Sequence, residues 1–252
     1  MAANIEATRQ AFRALHREGC FALPNVWDLG GLRRIERLGF TAVASTSAGL
    51  AWSLGCEDYE LELADVIAHL RTLSDASDLP VNADFENGFA DAPDDVARNV
   101  VLAADAGVSG LSIEDRGKAG LYDIDLGAAR IKAARAALDR AAPSVILVGR
   151  SEGFLVGDKD IDRTITRLVA YAAAGADCLY APGVTDPDQI RQIVAAVAPK
   201  PVNVLLMSPA MGMADMADLG VRRVSIGGAL ARRAWTAFDD AARYFRDEGR
   251  LP

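Results

Sequence analysis

The segment DAGVSGLSIED, residues 105–115, joins the end of a predicted helix to a short apolar strand through one glycine. Gly107 stands where the carboxyl terminus of a helix needs a left-handed residue, and the apolar strand follows at once. The same join recurs three more times, as RLGFTAVAS (37–45), AAGADCLYAPG (173–183) and DLGVRRVSIGG (218–228). A repeated unit of helix, glycine and strand is typical of alternating β/α folds.

Four further strands are predicted: CFALPN (20–25) before the first join, and LPVNAD (79–84), PSVILVGR (143–150) and PVNVLL (201–206) between the joins. Helical spacing of apolar residues follows each strand, in segments 28–38, 61–77, 92–106, 126–141, 161–174, 188–197, 211–219 and 229–245. Eight such pairs, without a linker-like tract, predict an α/β fold: one (β/α)8 barrel domain over residues 1–252, preceded by an extra N-terminal helix. A doubly wound open sheet is the alternative, but no GxGxxG turn follows the first strand.

Composition narrows the class of protein. The 252 residues are 51% hydrophobic and carry a formal net charge of -8, which favours a globular protein acting on small molecules and argues against a nucleic-acid surface. No apolar run is long enough for a membrane span, and the N-terminus has charged helical periodicity, so we expect no membrane partner and a cytoplasmic location. The three cysteines are widely spaced and suggest neither a disulfide framework nor a zinc cluster.

The active site of a (β/α)8 barrel lies at the carboxyl ends of its strands. Here those ends are polar, and carry Ser45, Thr46, Ser47, Asp84, Glu86, Glu114, Asp115, Arg150, Glu152 and Asn203. A single acidic residue in such a loop is more often a helix cap or a solvated turn, but three on neighbouring strands favour a metal site. Asp84, Glu86 and Glu114 offer oxygen ligands without histidine or cysteine, which suits Mg²⁺ better than zinc. Arg150 is placed to bind a substrate carboxylate.

Other chemistries have less support. Both histidines, His16 and His69, fall on predicted helices away from the strand ends, and we expect them to be partly exposed. A histidine base or a Ser-His-Asp triad is therefore not favoured. No lysine stands at a strand end, as a Schiff-base aldolase would need. The SIGG segment (225–228) is interpreted as a tight helix start in preference to a phosphate cradle.

Six segments, in this order, carry a resemblance to a known family: PNVWD (24–28), SLGCED (53–58), the DxExGF pattern (84–89), IEDR (113–116), GRSEGF (149–154) and GAD (175–177). Together they resemble the isocitrate lyase and phosphoenolpyruvate mutase superfamily, over most of the chain. The resemblance implies a barrel whose last helix is exchanged between the subunits of a homodimer or homotetramer. It also implies a reaction through a pyruvate enolate, made by breaking a carbon–carbon or carbon–phosphorus bond next to a carbonyl.

The resemblance also assigns site residues. It implies Mg²⁺, with Mn²⁺ as an alternative ion, held by Asp84, with Glu86 and Glu114 acting directly or through water. The predicted catalytic residues are Arg150, Glu114 and Asp58, the last of these on a mobile gating segment. The predicted substrate-binding residues are Arg150, Asn203 and, through backbone amides, Thr46, Ser47 and Ala48.

Two departures from the family pattern restrict the activity. The segment RGKAGLYDID (116–125) replaces a longer loop that carries a catalytic cysteine in isocitrate lyases, and Ala181, Pro182 and Gly183 stand where the phosphonate enzymes have a histidine. Lys118, Tyr122 and Asp123 either contribute to the site or belong to a flexible loop. We therefore predict a Mg²⁺-dependent lyase or decarboxylase acting on a small 2-oxo or 2-hydroxy carboxylate, oxaloacetate-like compounds foremost. The alternatives are a phosphonopyruvate-type mutase or hydrolase and a non-catalytic 2-oxo acid binding protein.

Overall fold

The computed structural model of the protein describes residues 2–251. Its main sheet has eight parallel strands once the first, β1, is taken as two parts, Phe21–Leu23 and Asn25–Val26, on either side of Pro24. The remaining strands are β2 (Val43–Ser45), β3 (Val81–Asp84), β4 (Gly110–Glu114), β5 (Ile146–Arg150), β6 (Cys178–Tyr180), β7 (Val202–Leu205) and β8 (Arg223–Ser225). All eight coincide with segments that the sequence predicts as strands, although β1 extends one residue further than predicted, to Val26.

The two parts of β1 close the barrel. Phe21–Leu23 pairs with β8, and Asn25–Val26 pairs with β2, so the first strand has a neighbour on each side. Pro24 interrupts the strand because it has no N–H to donate, yet its carbonyl oxygen still accepts a hydrogen bond from the Ala44 amide at 2.9 Å. The prediction of a (β/α)8 barrel over an open sheet is confirmed.

The helices are α1 (Ala2–Leu15), α2 (Leu29–Arg37), α3 (Ser47–Ser53), α4 (Leu63–Ala76), α5 (Pro93–Asp105), α6 (Ile124–Ala141), α7 (Ile161–Ala173), α8 (Pro187–Val197), α9 (Met213–Asp218) and α10 (Ala229–Glu248). The eight outer helices and the N-terminal helix are confirmed. The sequence did not predict α3, which is only seven residues long and begins at the cap residue Thr46, whose Oγ1 accepts from the Gly49 amide at 3.3 Å. Within residues 2–251, no helix is long and apolar enough to cross a membrane.

Helix α1 and the turn after it cover the amino-terminal end of the barrel. Phe12 is fully buried against the inner wall, and His16 is only 8% exposed. The expectation that His16 is partly exposed is therefore wrong, because its ring lies edge-on to Phe12 and Phe21 at centroid distances of 4.7 and 5.1 Å. Burial lowers the pKa of His16 to about 3, with the Arg223 charge as a second cause. His69, by contrast, is partly exposed as expected.

Helix α10 extends away from the barrel. Ala231 is its only buried residue, and three of its large apolar side chains, Trp235, Phe238 and Phe245, are 38%, 63% and 58% exposed. A helix with this much exposed apolar surface usually packs against another protein surface. Exchange of this helix between subunits stays a prediction.

Candidate active site

A cavity of about 230 Å³ opens at the carboxyl ends of the strands. Of the predicted site residues, its lining contains Thr46, Ser47, Ala48, Asp58, Asp84, Glu114, Arg150 and Asn203. The exception is Glu86, which is 4% exposed and lies behind the lining. The tertiary structure therefore brings together predicted site residues from five different β/α units, as the barrel register requires.

Arg150 at the end of β5 is the centre of the site. Its Nη1 lies 2.9 Å from Glu114 Oε1 and 3.1 Å from Asp84 Oδ1. Its Nε donates to Glu152 Oε1 at 2.5 Å. Burial alone would lower the pKa of Arg150, but these three carboxylates outweigh it and raise the pKa well above its ordinary value. Arg150 is thus a fixed cation, with two of its three nitrogens bonded to protein carboxylates.

Asp84 connects β3 to the start of α3. Its Oδ2 accepts hydrogen bonds from the Ser47 amide at 3.0 Å and from Ser47 Oγ at 3.2 Å, while its own amide donates to Ser45 Oγ at 2.9 Å. The Ser47 amide that the sequence assigns to a substrate carboxylate is therefore bonded to a carboxylate of the protein. This contact shows that the first turn of α3 can bind such a group.

Asp58 and Glu86 each have a buried carboxylate oxygen without a hydrogen-bond partner, Oδ1 and Oε1 respectively. Burial raises the pKa of Glu86 to about 8, and the charges of Asp84 and Asp58 add to the effect. Burial, followed by the charge of Asp84, also raises the pKa of Asp58. Glu86 has a left-handed backbone (φ 43°), and Gly88 (φ 76°) completes the turn that places its carboxylate behind Asp84. The region thus contains more carboxyl groups than Arg150 could neutralise if all of them were ionised.

Tyr59 is a site residue that the sequence analysis missed. Its hydroxyl donates to Glu114 Oε2 at 2.7 Å, and the guanidinium of Arg116 lies 4.5 Å from its ring centroid. Burial, together with the charge of Glu114, raises the pKa of Tyr59, so it stays a hydrogen-bond donor. A left-handed backbone at Tyr59 (φ 69°) turns its side chain into the cavity. Its position directly after Asp58 was the only signal in the sequence.

Two other strand-end acids differ in their surroundings. Glu152 is fully buried beside Arg150, and its Oε2 has no hydrogen-bond partner. Asp115 accepts from the Tyr171 hydroxyl at 2.7 Å, from Arg167 at 3.2 Å and from the Glu152 amide at 2.8 Å. Asp115 therefore connects β4 to α7 and is not in the lining of the cavity.

The segment 116–125 is anchored to the barrel. It forms a short hairpin, and the ring of Tyr122 lies 4.2 Å from the guanidinium of the buried Arg130. The Tyr122 hydroxyl accepts from Asn87 Nδ2 at 3.0 Å and donates to Asp91. Arg130 in turn donates to the Glu114 carbonyl at 3.0 Å. Tyr122 therefore anchors the hairpin next to the site. These contacts argue against the alternative that Tyr122 belongs to a flexible loop.

The predicted metal ligands fit a hydrated ion better than a direct cluster. Within the side chains that the structure describes, no three acidic, histidine or cysteine groups are arranged to hold a metal ion. Arg150 lies between Asp84 and Glu114, and both oxygens of Glu114 are bonded already. The unpartnered oxygens of Asp58 and Glu86, in an oxygen-only donor set, suit a magnesium ion that keeps several of its waters.

A closed (β/α)8 barrel with buried carboxylates and an arginine at its mouth is typical of barrel enzymes that act on small anions. The chain matches the model of the phosphoenolpyruvate phosphomutase family over residues 12–246, and it belongs to this family. The resemblance drawn from the sequence is thereby confirmed. Enzymes of this family use a divalent metal ion.

Three known proteins illustrate the relationship. An oxaloacetate decarboxylase of Rhodopseudomonas palustris (strain BisB5) is 34% identical over 254 residues, covering 95% of this chain and 85% of that protein. The structure of a lyase/mutase candidate from Burkholderia cenocepacia J2315 has 46% identity and a TM-score of 0.94, covering 99% of this chain and 91% of that chain. The structure of 2,3-dimethylmalate lyase, a member of the PEP mutase/isocitrate lyase superfamily, has 26% identity and a TM-score of 0.88, covering 98% and 89%. The prediction of a carbon–carbon lyase of this type is confirmed at the level of enzyme class.

Proposed function

We propose that the protein is a Mg²⁺-dependent lyase or decarboxylase that cleaves the carbon–carbon bond next to the carbonyl of a small 2-oxo carboxylate, with oxaloacetate as the leading substrate. Mn²⁺ is the alternative ion, and a related 2-hydroxy acid is the alternative substrate. The observation that carries the proposal is the excess of buried carboxylates around Arg150 in the barrel mouth. The similarity to oxaloacetate decarboxylases supports the choice of substrate.

Asp84 is the proposed ligand of the ion, and Glu86 contributes directly or through water. Glu114, whose two oxygens are bonded to Arg150 and Tyr59, contributes through water. When bound, a divalent ion supplies a Lewis acid that polarises the 2-oxo oxygen of the substrate. Cleavage without a dedicated base suits this site, because the strand ends carry no histidine and no lysine.

The residues of the chain supply orientation and fixed charge. When the bond to the leaving carboxyl group breaks, carbon dioxide departs and the electron pair of the bond moves toward the 2-oxo oxygen. Arg150 stabilises the negative charge that develops there, and because Glu114 and Glu152 already hold its guanidinium, no reorganisation is needed during the reaction. The enolate then takes up a proton to give the 2-oxo acid product. Asp58 and Tyr59, between α3 and α4, line the cavity, and the proposed role of this segment is to exclude water when substrate is bound.

The test is conversion of oxaloacetate to pyruvate, measured with Mg²⁺ and again after chelation. We expect Asp84→Asn to abolish both the Mg²⁺-dependent rate and the thermal shift produced by Mg²⁺ alone. Arg150→Lys should lower kcat/KM by about 100-fold, since lysine cannot reproduce the planar fork. Asp188→Asn, on the exposed start of α8, is the matched control for loss of one carboxylate. A wild-type rate that does not depend on a divalent ion would contradict the proposal.

A second candidate is a phosphonopyruvate-type mutase or hydrolase, favoured by the description of the matched family model. Incubation with phosphonopyruvate and detection of phosphoenolpyruvate or phosphate separates this candidate from the first. A non-catalytic 2-oxo acid binding protein would bind oxalate in the presence of Mg²⁺ and turn over neither substrate. Assembly as a homodimer or homotetramer, with α10 exchanged between subunits, is part of the proposal and is supported by the exposed apolar side chains of that helix.

A further inference from the structure

The inner end of the cavity contains a buried cation that the proposed function does not use. Arg223 on β8 is 2% exposed and belongs to the cavity lining. No salt bridge to Arg223 occurs among the described residues, and the neighbours that act on its charge are Cys178 and Tyr180, neither of them a carboxylate. A buried charge without a counter-ion is costly, and such a charge in a pocket marks a functional site more often than a structural one.

Neutral dipoles hold the Arg223 guanidinium in place. Its Nε donates to Asn203 Oδ1 at 2.9 Å, and its Nη1 lies 3.2 Å from Asn82 Oδ1 and 3.4 Å from His16 Nε2. His16 Nδ1 lies 2.8 Å from the Phe12 carbonyl oxygen, which can only accept, so Nδ1 carries the proton and Nε2 accepts from Arg223. These bonds use Nε and Nη1, and Nη2 takes part in none of them.

Asn203 has a different role from the one the sequence suggests. Its Oδ1 accepts from Arg223, and its Nδ2 donates to Ser225 Oγ at 3.0 Å. Both ends of the amide are therefore bonded within the protein. Asn203 orients Arg223, and Arg223 is the group that is left to contact a ligand.

The cavity has opposite charges at its two ends. Asp58 and Asp84 lie toward the strand ends, whereas Arg223 and Asn82 lie deeper, since Asn82 precedes Asp84 by two residues on β3. A volume of about 230 Å³ corresponds to roughly eight water molecules at about 30 Å³ each, more than a three-carbon 2-oxo acid fills. The remaining space extends to the guanidinium of Arg223 and can hold a second anionic group of the substrate.

We propose that Arg223 forms an anion subsite at the inner end of the cavity, which binds a second carboxylate or phosphonate on the substrate and selects 2-oxo acids that carry this distal group over shorter acids that lack it. The assignment rests on the proposed function for the position of the 2-oxo acid group. A carboxylate on Arg223 is held and not released, so the leaving carboxyl group of oxaloacetate does not bind there, and the subsite favours 2-oxo acids that carry a further anionic group. Arg223 is a specificity residue in this proposal.

The experiment measures binding by calorimetry in the presence of Mg²⁺, with oxalate and pyruvate as short probes and with 2-oxoglutarate and phosphonopyruvate as longer dianionic probes. For Arg223→Met, we expect the Kd of the longer dianion that fits to rise about 100-fold, the size of losing a buried charge-assisted pair. The Kd values of oxalate and pyruvate should change less than about threefold. The carboxylate and phosphonate probes separate the two kinds of second anion.

Arg222→Met is the matched control, because Arg222 is the adjacent residue in the chain and its side chain donates to the Gly19 carbonyl outside the cavity. Arg223→Lys keeps the positive charge but loses the planar guanidinium. The Kd of the longer probe should therefore rise less than in Arg223→Met. If Arg223→Met fails to fold, Asn203→Ala removes the contact that orients the guanidinium and should weaken the same probe selectively. An equal loss for short and long probes would overturn the subsite and leave the proposed lyase intact. A wild type that binds neither oxalate nor pyruvate would instead count against the proposed function.

Discussion

Acidification should destabilise this protein through His16, because the folded state excludes the proton that the unfolded state takes up. The pKa of His16 is about 3 in the folded protein and about 6.5 in an unfolded chain. Above about pH 6.5 the imidazole is neutral in both states, so its titration does not change the free energy of unfolding. As the pH falls from 6.5 toward 3, the unfolded state binds a proton that the folded state does not, so stability is lost across this window.

The size of this loss of stability follows from the difference between the pH and the pKa of His16 in the unfolded state. At pH 4.5, about two units below it, the loss is about 2.7 kcal/mol at about 1.36 kcal/mol per unit, of which about 2.5 kcal/mol falls between pH 7.0 and pH 4.5; it changes little if the folded pKa is one unit higher. Carboxylates and His69 add their own pH dependence, so the quantity to compare is the change between two pH values in wild type and variant. His16→Gln removes the titrating group and should reduce that change by about 2.5 kcal/mol.

Urea unfolding followed by tryptophan fluorescence, at pH 7.0 and pH 4.5, gives the four free energies of unfolding. His69→Gln serves as a second test of the same reasoning, because burial lowers the pKa of His69 to about 4, and its removal should reduce the pH-dependent change by a similar amount. His16→Gln will also lose some stability at both pH values, because glutamine packs less well than the imidazole against Phe12 and Phe21. If the pH-dependent part is the same in His16→Gln and wild type, the buried neutral imidazole is not the cause.

Three further predictions concern the site and the assembly. Tyr59→Phe removes the hydroxyl bonded to the buried Glu114, and should lower kcat/KM by about 30-fold while the melting temperature stays within a few degrees; an unchanged kcat/KM would show that this bond has no part in catalysis. Gly49→Val places a Cβ 2.7 Å from Thr46 Cγ2, so thermal unfolding should show a loss of about 2 kcal/mol or more, and no loss would mean that α3 can shift freely. Phe238→Glu puts a charge on the exposed apolar face of α10, and light scattering after gel filtration should show a smaller mass than wild type; equal masses would exclude this face from assembly.

The sequence by itself determined the architecture and which strand ends carry the polar residues of the candidate site. The glycine joins at the ends of four helices and the alternation of segments predicted eight strands, and each strand was found. Because parallel strands of a closed barrel end at one rim, polar residues such as Asp84, Glu114 and Arg150 had to meet there whatever their distance along the chain. Local backbone preferences and chain topology are enough for this conclusion.

Only the tertiary structure decided which groups are bonded, buried or free. The neutralisation of Arg150, the contact of Tyr59 with Glu114 and the burial of His16 depend on side chains that meet across the barrel, from strands and helices far apart in sequence. Their positions are set by strand stagger, rotamers and left-handed turns, which no periodicity in the sequence records. For the same reason the sequence did not show that Arg223 lacks a counter-ion. That property depends on the folded protein, in which no carboxylate of the described residues lies beside the guanidinium.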